Sequence, residues 1–315
     1  MNNFKKIGLS ALAGSLAAVS VQAADLSVTG GASIGFFGEE EQATGNGWSM
    51  NDGVTFAASE EMDNGWTVSL NFLLDSSDSA ASAGLDNRSL KIDMGDNGVF
   101  TFSGDGGDGV LSRIDDVTPT AYEESWDLVT GADIAPSGPS SNNMMHYSNS
   151  SLMDGVTVSA AFIPSDGATK LESSSDYGVK YTGIDGLTVG LAGGEDNTAA
   201  ASLDITNIYA KYATEMGVTV GFQSTESDSE TASADKDFSA MGISYAVNED
   251  LSVSLNTSTI DFEDGTLTDQ ESTGLSLSYT MGSMTLSAAH NTVDNVAGTA
   301  ANDRSGYDLG LAFAF

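Results

Sequence analysis

The sequence predicts an all-β fold: a sixteen-stranded antiparallel transmembrane β-barrel with a long third loop folded into its lumen. Three observations predict it. Apolar residues recur with period two along most of the chain, the mark of strands with one apolar face. Tight turns rich in Gly, Asn and Asp alternate strictly with long polar connections. One segment, 104–143, breaks the strand pattern with about forty residues of loop chemistry. A loop that long is rare in a compact domain unless it has a function of its own or is disordered.

The chain opens on an address. Lys5 and Lys6 precede an apolar run from Ile7 to Val21, and Val21-Gln22-Ala23 supplies small residues where a signal peptidase reads. Residues 1–23 are therefore expected to be a secretory signal peptide, and 24–315 the barrel domain. The run falls short of the ~20 apolar residues of a spanning helix. Any membrane crossing later in the chain has to be made by strands.

Strand follows strand in the same grammar. Leu26, Val28, Ile34 and Phe36 share one parity, and Ser27, Thr29 and Ser33 the other. Trp66 to Leu74, Val156 to Phe162, Val218 to Phe222, Leu251 to Leu255, Leu275 to Tyr279 and Tyr307 to Phe315 repeat the alternation. Tight turns fall at 63–65, 96–98, 150–155, 184–186, 215–217, 248–250 and 281–283, with the residues hairpins favour. Long connections fall around 39–47, 76–86, 104–143, 164–175, 196–202, 226–237, 263–271 and 294–304. Seven short and eight long connections separate sixteen strands, so all short turns share one rim and all long loops the other.

A second pattern is independent of the first. Tyr147, Tyr181, Tyr212, Tyr245 and Tyr279 lie 31 to 34 residues apart, each just before a short turn. That interval is one hairpin with its loop, so the tyrosines form a ring at one height, as an interfacial girdle does. Phe36, Phe72, Phe162 and Phe222 supply a second girdle near the long loops.

Solvation decides which face is which. A closed sheet of about sixteen strands is too wide to fill with side chains and encloses water. The Ser/Thr/Asn/Gly parity suits that lumen and the Val/Leu/Phe parity suits lipid. Open edges cannot exist in hydrocarbon, so the sheet closes. Small outward residues at Gly30, Ala32 and Ala58 make a flatter wall that suits a neighbouring subunit.

Composition excludes other classes. Against 45 acidic residues stand 10 basic ones, a formal net charge of -35, or -37 without residues 1–23. Phosphate binding needs a basic footprint, so no nucleic acid partner is expected. No cysteine is present, which removes disulfides and thiolate metal sites. His146 and His290 have no serine–acid partners at a recognisable spacing, so no catalytic residues and no enzyme are expected.

At this point the sequence resembles the Gram-negative general porins, most closely those of α-proteobacteria. The carriers are the leader, the opening Leu26-Ser27-Val28-Thr29-Gly30, the stretch Lys91-Ile92-Asp93-Met94-Gly95-Asp96 before the third loop, and the closing Leu311-Ala312-Phe313-Ala314-Phe315. A terminal phenylalanine is similar to the insertion signal of such barrels. The resemblance implies an outer-membrane homotrimer in contact with outer-membrane lipids, with loop 3 constricting each pore. The enteric porins' Pro-Glu-Phe-Gly-Gly is absent, and Gly104-Asp105-Gly106-Gly107-Asp108-Gly109 stands near its place.

The expected site is that constriction. Its acidic side is Asp105, Asp108, Asp115, Asp116, Glu123, Glu124 and Asp127, with Arg113 as the one base on the loop. Its basic side is the wall residues Arg88, Lys91, Lys180 and Lys211. Opposed charges across a narrow low-dielectric lumen focus a transverse field. The Gly-Asp run also resembles one copy of a calcium repeat, with Asp105 and Asp108 as ligands of a structural calcium. The expected function is passive diffusion of small hydrophilic solutes and inorganic ions, with cations preferred. Two alternatives stay open: a substrate-selective porin, and a structural or adhesive surface barrel whose lumen is plugged.

Overall fold

The computed structural model describes residues 25–40, 47–76, 84–165, 167, 172–197, 202–230 and 234–315. The expected signal peptide, 1–23, lies outside them. The chain runs β1 (Asp25–Glu39), β2 (Trp48–Glu61), β3 (Thr67–Ser76), β4 (Gly84–Asp93) and β5 (Val99–Asp105), then two short loop strands, β6 (Gly107–Asp108) and β7 (Ser140–Ser141). It continues through β8 (Met144–Met153), β9 (Val156–Ile163), β10 (Ser174–Ile184), β11 (Leu187–Asn197), β12 (Ser202–Ala213) and β13 (Val218–Ser229). The last five are β14 (Lys236–Ala246), β15 (Leu251–Phe262), β16 (Gln270–Met281), β17 (Met284–Asp294) and β18 (Arg304–Ala314). β1–β5 and β8–β18 pair antiparallel, each with its sequence neighbour, and β18 returns to β1 to close the barrel. The sixteen expected strands and their alternating connections are all present.

Local chemistry explains the turns. Six of the seven short turns hold a glycine at positive φ, for example Gly155 at 72° and Gly186 at 74°. A side chain at Gly186 would collide with the Ala213 carbonyl. The seventh turn has no glycine; there Asn248 Oδ1 accepts the amides of Asp250 and Leu251, both at 2.9 Å. Sequence spacing put one turn at 150–155, but β8 continues to Met153 and the turn shrinks to Asp154-Gly155. A register shift between Asn149 and Met153 absorbs the extra residues.

The outward face carries the apolar parity. Leu255, Leu275 and Leu309 are each half exposed or more. The five spaced tyrosines are exposed at the short-turn rim, where Tyr212 pairs with Leu187 and Tyr279 with Leu251. Near the long loops Phe36 packs 4.9 Å from Trp48 and 6.1 Å from Tyr307, ring centre to ring centre. Phe315 closes the seam through two backbone bonds to Gly30, of 2.7 and 2.9 Å. Its ring lies over Gly30, so that small residue seats the terminal aromatic.

Among the described residues no single central core forms. Buried apolar side chains form three patches, each sandwiched between loop 3 and the inner wall. Val110 and Leu111 pack with Met144, Ala161, Ile163, Ala192 and Ile205. Trp126 meets the Phe238 ring edge-on at 5.2 Å, with Ile260 and Phe262 beside it. Val129 sits on Val293 and Val296.

Candidate functional site

Loop 3 leaves the wall through a neck. Gly107 pairs with Ser141 and Asp108 with Ser140, and the Gly109 amide donates to the Pro139 carbonyl at 2.9 Å. Between these ends the chain travels along the inner wall and returns.

Inward polar side chains hold it at each step. On β10, Asp176 Oδ2 accepts the Leu111 amide at 2.8 Å. On β12, Asn207 donates to the Ile114 carbonyl. On β13, Gln223 accepts the Val117 amide at 3.1 Å and donates to the Asp115 carbonyl at 2.8 Å. Ser254 on β15 and Ser276 on β16 accept the amides of Ala121 and Tyr122. The Tyr122 hydroxyl reaches Asp308 on β18 at 3.2 Å. Glycines make room: Pro119 lies where side chains at Gly221 and Gly242 would sit.

The far end is pinned at the barrel seam. Glu39 of β1 and Arg304 of β18 form a buried ion pair at 2.8 Å. Glu39 also accepts the Thr130 amide at 3.3 Å, and Arg304 donates to the Thr130 carbonyl. On the way back Gln270 of β16 accepts the Asp133 amide at 2.9 Å and donates to the Asp133 carbonyl at 2.8 Å, while Lys236 of β14 pairs with the Asp133 carboxylate at 3.1 Å. The wall contacts just named fall on β10–β18 and the end of β1. The inner face of β2–β5 and β8 presents Thr55, Asn71, Lys91, Thr101 and His146, with Lys91, Thr101 and His146 in one cross-strand row.

The expected acids separate into groups. Glu123, Glu124 and Asp127 converge, with a carboxylate oxygen from each within 4.8 Å of the others. Asp127 also accepts the Glu124 amide at 3.0 Å. Burial, with the nearby Asp127 and Asp308 charges, raises the Glu123 carboxyl to about 7. Burial and the Asp127 contact raise Glu124 to about 10. Tyr122 is also held above its usual range, by burial first and by the Glu123 charge second. Asp115 and Asp116 lie on the outgoing limb, half-buried. Asp108 is in the neck, where the Ser112 hydroxyl donates to it weakly at 3.4 Å.

Two expected residues lie elsewhere. Arg88 pairs across the sheet with Phe72, whose ring stacks on Phe56 on the outward face. A register shift between Arg88 and Ser89 sets Asp105 opposite Arg88, and the two side chains form an ion pair at 3.1 Å. Arg88 and Asp105 thus belong to the outer wall rather than the constriction. The shift also separates the two aspartates expected to share calcium, one on the wall and one in the neck. Among the described residues the group of three acidic side chains is Glu123, Glu124 and Asp127, and neither Asp105 nor Asp108 belongs to one.

The other bases face inward. Lys91 is exposed on β4, and Lys211 on β12 is opposite Gly221. Lys180 on β10 lines a cavity with Arg113 and His146. The bases thus gather on the β4–β12 side, and the acidic triad lies toward β15–β18. Sequence reasoning missed the wall residues that position the loop: Gln223, Gln270, Asn207, Asp176, Asp308 and Asn291 of β17, which donates to the Glu124 carbonyl. The signal available was their size, since long amides and acids stand at inward positions otherwise given to Ser, Thr and Gly.

Comparisons fit this geometry. A doubly substituted variant of the Rhodobacter blastica porin superposes with a TM-score of 0.70 at 15% identity, covering 92% of this chain and 100% of that one. OmpT of Vibrio cholerae, solved in a trimer form, and a porin of Comamonas acidovorans described as anion-selective each give 0.72 at 13% identity, covering 93% of this chain and 100% of theirs. No curated protein matches the chain in sequence. The family model for Gram-negative porins matches residues 8–265, and the chain belongs to that family.

Proposed function

We propose that this outer-membrane porin is a cation-preferring diffusion channel whose passage lies between loop 3 and the inner wall of β2–β5 and β8. Porins are channels rather than enzymes. The observation that carries the reading is that loop 3 is bonded along one side of the lumen, from Asp176 on β10 round to Glu39 on β1. A loop laid along a wall narrows a tube without closing it, which also speaks against a plugged surface barrel. Asp127 and the ionised fraction of Glu123 put negative charge on one lip, and Lys91, Arg113 and Lys180 stand on the other side. The preference comes from the formal net charge of -35 over the whole chain, whose field concentrates cations at the pore mouths.

Assembly as a homotrimer fits the outer wall. Arg88 and Asp105 have the outward position on β4 and β5, and Asp52 shares the outward face through its pairing with Ala32. Charged side chains facing lipid are costly, up to ~2–4 kcal/mol for an Arg at the bilayer midplane and less for an Asp. A second copy over β1–β5 removes them from lipid. Residues 1–23 are proposed as the cleaved secretory leader.

Planar-bilayer recordings in a salt gradient test the channel. Discrete steps and a reversal potential of cation sign are expected. Absence of steps removes the channel, and an anion-sign potential removes the preference.

A further inference from the structure

We infer that the lumen wall carries a subsite for a small monocarboxylate with a short apolar body, between the outgoing limb of loop 3 and strands β8–β12. The inference rests on the channel reading, because the subsite opens on the same lumen.

The cavity there is about 240 Å³. Drug-sized sites run to about 300–1,000 Å³, so the occupant is smaller than those. The wall is dented on purpose at two inward glycines. A side chain at Gly178 would meet Val110 at 2.8 Å and Ala192 at 2.9 Å, and one at Gly190 would run into the Tyr209 ring. Loop 3 roofs the dent with Val110, Ile114 and Val117. The lining is therefore apolar on one side.

The other side is basic. Arg113 from the loop and Lys180 from β10 face the cavity, with His146 and the hydroxyls of Thr157 and Ser159 nearby. Arg113 uses its Nε on the Asp108 carbonyl at 3.1 Å, which orients the guanidinium and leaves its two terminal nitrogens for a ligand. Arg113 lies within electrostatic reach of the buried Asp176 carboxylate and of the His146 ring. The acid nearest in sequence on the wall, Asp176, is 1% exposed and is capped by the Leu111 amide. In a chain with 45 acids and 10 bases, two bases and a histidine lining one cavity whose neighbouring wall carboxylate, Asp176, is 1% exposed make a local positive patch. A planar fork of Arg donors matches a carboxylate. The apolar roof selects against phosphate or sulfate, whose remaining oxygens would lose water without a partner.

The test is current block. Wild-type channels in potassium chloride receive butyrate or benzoate, with acetate to supply charge alone and benzyl alcohol to supply apolar surface alone. Saturable block by butyrate and benzoate is expected, at least tenfold weaker with either control ligand. The Arg113→Gln/Lys180→Gln variant should raise the half-blocking concentration about tenfold or more, since tenfold corresponds to one lost interaction of about 1.4 kcal/mol. Its steps in chloride alone show that it folds. Ile114→Ser should weaken benzoate and spare acetate. Steps without block, equal block by acetate, or block unchanged in the double variant would each overturn the subsite while leaving the channel standing. Failure to see any steps in the wild type would instead remove the channel reading.

Discussion

Gln223 and Gln270 act on loop 3 as a neighbouring strand would, offering a donor and an acceptor to one stretch of backbone. Replacing Gln223 by Leu keeps the volume and removes both. Three hydrogen bonds go: from the Val117 amide at 3.1 Å, to the Asp115 carbonyl at 2.8 Å, and to the Thr225 hydroxyl at 3.3 Å. Each is worth ~1 kcal/mol net, and leaving two backbone groups unpaired adds ~1–3 kcal/mol unless water enters, so the local loss is about 3–6 kcal/mol. Every ~1.4 kcal/mol is a factor of ten in population. A detached loop therefore becomes at least a hundredfold commoner. The barrel ladder is untouched, so unfolding of the whole barrel should change far less than the loop does. Single-channel recording reads the loop directly. The Gln223→Leu/Gln270→Leu variant should show larger open-channel noise and a broader spread of step sizes than wild type. Step size and noise identical to wild type would refute the clamp, and with it the claim that these amides set the path of loop 3.

Selectivity should follow pH. Glu123, raised from 4.5 to about 7 by burial and its acidic neighbours, ionises as pH rises from 5 to 8, so cation preference should grow over that range, and Glu123→Gln should flatten the curve measured by reversal potential. The same shift sets the sign for stability: the buried site favours the protonated carboxyl, so its contribution is complete below about pH 4.5 and is lost as pH rises through about 7. At the seam, Glu39→Gln should cost ~3–5 kcal/mol by leaving buried Arg304 unpaired, and Glu39→Gln/Arg304→Met should regain much of it in thermal melting. On the outer face, Leu275→Arg should destabilise folding into vesicles by up to ~2–4 kcal/mol, whereas inward Thr101→Arg should cost little; equal costs in urea titration would invert the two faces.

The strands were legible because their signal is local. Period two fixed Val220 and Phe222 on one face and Gln223 on the other, and the structure has the first two exposed and the third fully buried. Parity says which face a side chain takes; it does not say what covers that face. Ser276 reads as a lumen residue and is one, yet it is 3% exposed beneath the Tyr122 amide, so a label there would report protein and not water. Asp105 shows the other limit. It shares parity with inward Ser103, and only the slip at Arg88/Ser89 turns it outward. A one-residue slip reverses every side chain beyond it, and no composition rule marks where it falls.

Charge was the least legible quantity, because the sequence counts groups and the lumen feels only ionised ones. Glu124 adds to the formal charge of -35, but burial and Asp127 raise its carboxyl to about 10, so at neutral pH it is a hydrogen-bond donor within the triad. Glu123 is divided between its two forms, and Asp105 is neutralised by Arg88 outside the lumen. Of the seven acids that the sequence offers to the constriction, three are thus wholly or partly removed from the field that an ion meets there. Opposite them stand Lys91, Arg113 and Lys180. The transverse field is therefore more even-handed than the composition implies, and the large negative excess acts mainly from the rest of the molecule, over distances that salt screens beyond ~10 Å at 0.1 M. Cation preference should then weaken steeply between low and high ionic strength, and a preference independent of salt would place the selecting charges inside the constriction after all.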